Sequence, residues 1–448
     1  MAALKIQKGS MNIFHEPSRD IPCVEHVDVL VAGSGPAGIA AAMAAARLGA
    51  SVRLIEQNGC LGGIWTSGLL CWILDIRNKQ DGILREIVDA LDRRGATWPV
   101  KVAACAFQPE AMKILLEDTC LAAGVRIRLH TRLCAAACDP GGRLATVITE
   151  STSGREAWGA TCFVDATGNG DLAAMAGCSF DYGRPEDGKA QPMSLLALVS
   201  GPLASEIPEV MHDGSQPGRA DKERLLALIR AGGFEPSSGM PMLIPLAPRL
   251  YALGNCNHIY GADALDSQAL TDATIRARTE TRNVVTALRS HGGPWSELQL
   301  VATAEHIGVR EGRRIHGLHQ VVVGEMEGGV RHPDPVCRAT FGVDVHAITG
   351  GPGATCEPGI KRHVLPYDIP LRALIAADRD GLLLAGRCIS GDFLSHSSYR
   401  QTGDAVPMGE AAGACAALAA RTGRLPHQVA WSELAAALPQ LGRLIEVQ

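Results

Sequence analysis

The stretch from Val27 to Glu56 constrains this chain most. Val27 to Ala32 is an almost unbroken apolar run, which reads as a strand buried in a parallel sheet. Gly33-Ser34-Gly35-Pro36-Ala37-Gly38 follows it directly. Pro36 to Leu48 is rich in alanine, fits a helix, and ends at Gly49. Ser51 to Ile55 is a second strand, and Glu56 closes it. In such a strand–turn–helix unit the first glycine permits a tight turn. The second lets backbone N–H groups approach an anion, and the third lets helix and strand pack closely. The helix N-terminus adds a dipole that favours negative charge.

Glu56 stands 23 positions after Gly33, where a carboxylate can accept hydrogen bonds from ribose hydroxyls. Turn, helix, second strand and acid occur in order, which predicts dinucleotide binding. Gly33, Ser34, Gly35, Pro36, Ala37, Gly38, Glu56 and Gln57 are the residues expected to face that ligand.

At 448 residues the chain is too long for one ordinary core, so two or three domains are expected. A net charge of −5 gives no electrostatic case for nucleic acid or an anionic membrane as partner. No signal peptide is visible, and the small-apolar run Ala37 to Leu48 is too short to span a bilayer and contains Arg47. A cytoplasmic location is expected. The fourteen cysteines are scattered and never form Cys-x-x-Cys; Cys134 and Cys138 are the closest pair. That pattern argues against a cluster, a zinc ribbon or a redox dithiol, and no metal site is expected.

The predicted fold class is α/β. A Rossmann-like parallel sheet with a β-hairpin insertion is joined by an inserted mixed α+β domain. The expected boundaries are an extension over 1–25, the first part of the nucleotide domain over 26–180, and a substrate or cap domain over 181–365. The nucleotide domain returns over 366–421, and 422–448 is a tail. Asp139-Pro140-Gly141-Gly142 marks the hairpin turn between strands at Leu133 to Ala137 and Leu144 to Glu150. Ser194 to Val199 and Gln299 to Ala304 read as strands of the inserted domain, and Ser267 to Ser290 as its long polar helix. Leu382 to Ala385 restores a buried strand and Asp404 to Ala420 a small-residue helix.

Three further stretches carry a family resemblance: Leu61-Gly62-Gly63-Ile64-Trp65-Thr66-Ser67-Gly68, Asp165-Ala166-Thr167-Gly168-Asn169-Gly170-Asp171, and Leu384-Ala385-Gly386-Arg387 through Gly409-Glu410-Ala411-Ala412-Gly413. Together with the first loop they resemble the FAD-dependent oxidoreductases related to the succinate dehydrogenase flavoprotein and glutathione reductase. The resemblance covers roughly 27 to 180 and 365 to 420. It implies one FAD, held by Gly62, Gly63, Ile64, Ala166, Thr167, Gly168, Asp171, Gly386, Arg387, Ala405 and Val406 besides the first loop. It also implies that the last helix points its N-terminus at the pyrimidine side of the flavin. No His precedes Gly62-Gly63, so non-covalent FAD is expected. Gly168-x-Gly170-x-x-Ala173 is not taken as a second dinucleotide loop, because Tyr182-Gly183-Arg184-Pro185 breaks the chain too soon.

His396-Ser397-Ser398-Tyr399-Arg400 resembles the His-x-x-x-Arg of succinate dehydrogenase flavoproteins, which implies that Arg400 faces substrate. Arg400 is the candidate clamp, His396 the candidate proton carrier and Tyr399 a weaker acid candidate. Glu305 to Arg314 is dense in charge and is either part of the active site, with Arg310 the candidate, or an internal ion-pair network. His363 reads as a surface residue. The expected activity is hydride transfer between flavin N5 and a small organic substrate, with an unidentified electron acceptor and a possible homo-oligomer. A flavin monooxygenase and a flavin-bearing subunit of an electron-transfer complex are the alternatives.

Overall fold

The computed structural model describes residues 16–76, 79, 81–350, 356–357, 360, 362–440 and 444. Most of the expected extension, 1–15, and the end of the tail lie outside the described residues.

The first strand, β1, runs Cys23–Ala32, longer than its apolar run. Its polar first residues pair with Ala157 and Trp158 of the strand Gly154–Asp165, so ladder hydrogen bonds extend it beyond the buried part. The helix α1 covers Pro36–Arg47 with Pro36 in its first turn, and β2 covers Val52–Ile55. The order across the main sheet is Arg126–Arg128, β2, β1, Gly154–Asp165, Leu144–Ser151 and Arg132–Cys138. Leu382–Leu384 also pairs with Gly154–Asp165. That long strand serves two purposes. Its first half takes the antiparallel hairpin, and Phe163 to Asp165 takes the returning strand in parallel.

The parallel registers align four strand ends. Ala32 pairs with Ile55 and Asp165, and Asp165 pairs with Leu384. Loops leaving these carboxyl ends therefore emerge side by side, the usual ligand edge of an open α/β sheet.

The returning helix, Thr402–Thr422, is longer than its expected 404–420 span and lies against α1. Gly409 and Gly413 sit one turn apart on the shared face. A Cβ on either would run into a carbonyl oxygen of α1, that of Ala37 or of Ala41. With α1 built mostly of alanine and buried along nearly its whole length, the two helix backbones pack almost directly.

A second sheet is antiparallel, in the order Met242–Ala247, Leu250–Gly254, Ala197–Ser200, Gln299–Thr303. The strand expected over Ser194 to Val199 begins only at Ala197; Ser194 makes an isolated bridge to Gly308. A separate apolar cluster, with Val199, Leu225, Tyr251, Val284 and Trp295, lies between this sheet and the helices Ala220–Ala231 and Ser267–Arg289. Among the described residues, no helix is long and apolar enough to cross a membrane.

Candidate cofactor and substrate site

The loop after β1 turns at Gly33, whose φ of +87° lies where a side chain would be strained. Its N–H donates to the carbonyl of Ile55 at 2.8 Å, tying the loop to β2. A Cβ there would also come within 2.7 Å of the Ala166 carbonyl oxygen. Gly35 caps α1 without any side-chain hydrogen bond, leaving the first N–H groups of the helix free to donate. No heavy atom lies within 4 Å of where a Gly35 Cβ would stand, so the turn opens to the space in front of the helix.

The other glycine stretches border that space. A Gly63 Cβ would meet the Gly35 Cα at 2.9 Å, and a Gly386 Cβ would meet the Ala37 Cβ at 3.1 Å. Gly62 N–H donates to the Ser34 carbonyl at 2.9 Å, and Ala385 N–H to that of Asp165 at 2.9 Å. Thus Gly33 to Gly38, Gly62-Gly63, Ala166 and Gly386 converge on one cradle with uncapped donors at its centre. Ala405, buried near the start of the returning helix, lies beside it, since a Gly386 Cβ would stand 3.8 Å from the Ala405 Cβ; Val406, the next residue, is buried. The Ile64 side chain reaches Gly308, its Cδ1 3.6 Å from where a Gly308 Cβ would stand.

Glu56 is buried and already engaged. One carboxylate oxygen accepts from the Ser34 N–H at 2.8 Å and hydroxyl at 2.7 Å, and the other from the Asn58 N–H at 2.8 Å. It therefore shapes the phosphate loop as well as standing where a ribose would be read. Gln57 beside it is exposed.

The stretch 165–171 is organised by Asp165, which the sequence reading had not singled out for a role. Its carboxylate accepts from Thr167 N–H and hydroxyl and from Ala173 N–H, and full burial pushes its pKa up to about 6. The Thr167 hydroxyl accepts in turn from the Asp171 N–H, and Asp171 pairs with Arg313 at 2.9 Å. The polar groups of Thr167 and Asp171 are thus used within the loop. Gly170 leads only into a five-residue helix, Asp171–Met175. Arg387 acts as a clamp, donating to the carbonyls of Gly168 and Val309 and to the Asn169 side chain.

His396 departs from its expected role. It lies inside a short helix, Phe393–Tyr399, and is fully buried. Its ring nitrogens make no hydrogen bond of normal geometry. Burial, with the charges of Arg314, Arg400 and Arg387, pushes its pKa well below the ordinary range, so it stays neutral and cannot exchange protons near pH 7. Tyr399 faces the core and donates to the Ile389 carbonyl at 3.2 Å; burial raises its phenol far above the usual range. His363 is exposed, and so is Glu305.

Arg400 and Arg310 meet instead in a polar cluster. Arg400 Nη2 donates to the Asp344 carbonyl at 2.8 Å, with the Asp344 carboxylate at 3.3 Å and the Gln191 side-chain oxygen at 3.4 Å. Arg310 donates to the Pro192 carbonyl at 2.7 Å, the Ser194 hydroxyl at 2.8 Å and the Asn255 side chain at 2.9 Å. Burial and the nearby Arg400 charge push Arg310 down to about 9, still cationic at neutral pH. His346 spans from Asp344, at 3.3 Å, to the His258 Nε2 at 3.2 Å, and His258 Nδ1 lies 3.3 Å from the Tyr260 hydroxyl. Burial holds both histidines neutral, with His346 at about 4. Two donors in this cluster, Arg400 Nε and Gln191 Nε2, are buried with no partner. Gln191, Asp344, His346 and His258 were missed by the sequence reading: they come from three separate segments, and no local motif marks any of them. Glu311 and Arg314, in the charged stretch, form a buried ion pair, and Glu311 holds the Gln191 N–H at 3.1 Å.

A sheet with a glycine-lined, uncapped helix N-terminus at its carboxyl edge, and a buried polar cluster built on two arginines, defines a dinucleotide-dependent enzyme. A family model described as FAD dependent oxidoreductase matches residues 28–438. The chain belongs to the FAD dependent oxidoreductase family, and FAD is its cofactor. Among curated proteins, the thiamine thiazole synthase of Aeropyrum pernix is 44% identical over 61 residues, which are 13% of this chain and 23% of that protein. The match therefore spans less than a quarter of that relative's length. A geranylgeranyl bacteriochlorophyll reductase-like protein from Thermoplasma acidophilum is similar in structure, at 14% identity over 94% of this chain and 83% of that one, with a TM-score of 0.47. The p-nitrophenol 4-monooxygenase of Pseudomonas putida DLL-E4 is similar at 11% identity over 94% of this chain and 87% of that one, with a TM-score of 0.49.

Proposed function

We propose that this FAD enzyme moves a hydride between its flavin and a small organic anion held by Arg310 and Arg400. The observation that carries the reading is the pair of unpartnered buried donors, Arg400 Nε and Gln191 Nε2, inside a cluster where two guanidiniums face one carboxylate. A buried donor without an acceptor is costly, and a ligand carboxylate or carbonyl would satisfy both.

Gly35, Ala37 and the first turn of α1 would hold the diphosphate, Glu56 the ribose, and Gly62-Gly63, Gly386 and Ala405 the remaining cofactor surface. Bound there, FAD supplies the two-electron partner that a hydride requires. Arg400 and Arg310 orient the substrate and offset its charge. His346 links Asp344, beside Arg400, to His258 and Tyr260. His258 and Tyr260 border an open groove of 400 Å³ on the solvent side of the cluster. Burial holds His346 neutral as it does His396, so neither carries the proton in this reading. The fourteen cysteines are free thiols, ten of them buried, which supports a reducing, cytoplasmic setting.

Anaerobic screening of small metabolites for bleaching of the flavin spectrum tests this. Carboxylate-bearing compounds should bleach it and their amides or esters should not. Equal bleaching by neutral analogues overturns the anion reading. A flavin hydroperoxide spectrum during aerobic turnover would move the enzyme to the monooxygenases.

A further inference from the structure

We propose that His319, Glu325 and His332 form a divalent transition-metal site, with Zn2+ the ion it suits best. The site is independent of the flavin reading. One ligand atom from each residue lies within 4.8 Å of those of the other two. Glu325 Oε1 is 2.9 Å from His319 Nε2 and 3.5 Å from His332 Nε2. Four-coordinate zinc, with bonds of about 2.1 Å, sets its ligand atoms about 3.4 Å apart. Modest side-chain rotation would close the three around one ion, leaving a position for water.

A hydrogen-bonded His–Glu pair explains His319 and Glu325 but leaves His332 unexplained. Its side chain is only 9% exposed, and its Nε2 is buried, aimed at the same carboxylate and without a hydrogen bond. The second Glu325 oxygen is already used, accepting from the Val322 N–H. A cation shared by Oε1 and both imidazoles would satisfy all three groups. Two nitrogens and one carboxylate favour zinc, cobalt, nickel or iron over magnesium or calcium, which prefer oxygen ligands.

The site would brace the approach to the substrate cluster. The segment from His319 to Val323 hangs on the returning part of the chain. His319 N–H donates to the Arg372 carbonyl, Val321 N–H to that of Ser390, and Val323 N–H to the Asp392 carboxylate. Asp392 caps the helix Phe393–Tyr399, which leads straight into Arg400. An ion fixing His319, Glu325 and His332 therefore fixes the foot of that helix.

The test uses the full chain, tag-free, with thiols alkylated and metals removed by chelator. Co2+ is then titrated and followed by its visible d–d absorption. One equivalent should bind, without a sulfur-to-cobalt charge-transfer band, and Zn2+ should displace it. Zn2+ should also raise the melting temperature of the wild type. His332→Ala and His319→Gln should each lose the cobalt spectrum and the zinc-dependent shift while keeping wild-type FAD content and circular dichroism. Absence of saturable cobalt binding in the wild type overturns the site. So does equal binding by both variants. If a variant loses FAD, zinc protection of His332 from diethyl pyrocarbonate in the wild type decides the matter, and no protection counts against the site.

Discussion

Two arginines converge on one short stretch of chain: Arg400 reaches Gln191, and Arg310 reaches Pro192 and Ser194. A guanidinium offers parallel donors in a fixed plane, which a lysine cannot match at the same charge. Arg400→Lys should keep FAD yet lower kcat/KM on the order of 10- to 100-fold, the scale of about 1.5–3 kcal/mol for hydrogen bonds to charged groups. Arg400→Ala should lose more. Unchanged turnover in both would remove Arg400 from substrate binding, and loss of FAD would place it in the cofactor shell. His346→Gln should lower turnover by loosening Asp344 beside Arg400, while leaving the pH profile near neutrality unchanged. His396→Gln should leave it unchanged, because a histidine already held neutral and buried contributes no titration near pH 7.

The contact between α1 and the returning helix decides whether the cofactor cradle exists at all. The Gly409 and Gly413 positions admit no Cβ unless the helices separate. Overpacking of this kind costs about 1–3 kcal/mol, and the obstacle here is backbone, which cannot rotate away. Gly413→Ala should therefore destabilise the protein by about 3 kcal/mol in chemical denaturation. Gly409→Ala, nearer the cradle, should also lower FAD occupancy on purification. Wild-type stability in Gly413→Ala would show that the two helices do not meet backbone to backbone. The glycines of this helix stand out in the sequence as small. That their partners are Ala37 and Ala41, some 370 residues earlier, follows only from the packed structure.

Across the whole molecule, buried ionisable groups pull stability in opposite directions as pH changes. His306 and His346 are both pushed down to about 4 by burial, and each regains an ordinary pKa on unfolding. The unfolded chain then binds protons that the folded chain refuses. Their contribution is present above about pH 6.5 and is lost as pH falls toward 4, by up to about 1.4 kcal/mol per pH unit for each histidine. Glu410 has the opposite sign. Burial raises it to about 7, so its contribution is present at low pH and lost as pH rises through 7. Denaturant titrations at several pH values check both limbs. His306→Gln should lessen the loss between about pH 6.5 and 4, and Glu410→Gln the loss as pH rises from about 4.5 to 7; a profile unchanged by either would contradict the assignment.

Local chemistry made much of this protein readable in one dimension. The phosphate loop, α1, β2 and Glu56 are contiguous, and their spacing follows from the reach of a single crossover unit, so the sequence determined both the unit and its ligand class. The glycine stretches at 62–63 and 386 were likewise visible, since close backbone approach leaves a compositional mark. The substrate cluster left none. Gln191, His258, Arg310, Asp344, His346 and Arg400 come from five separate segments, Asp344 and His346 sharing one, and each residue type has an ordinary reading where it stands. Only the tertiary structure brings them together, and only it shows that the rings of His346 and His258 meet while that of His396 is enclosed without a partner. Charge and proton affinity depend on what surrounds a group in space, and at these positions the surroundings are supplied by chain that is distant in sequence.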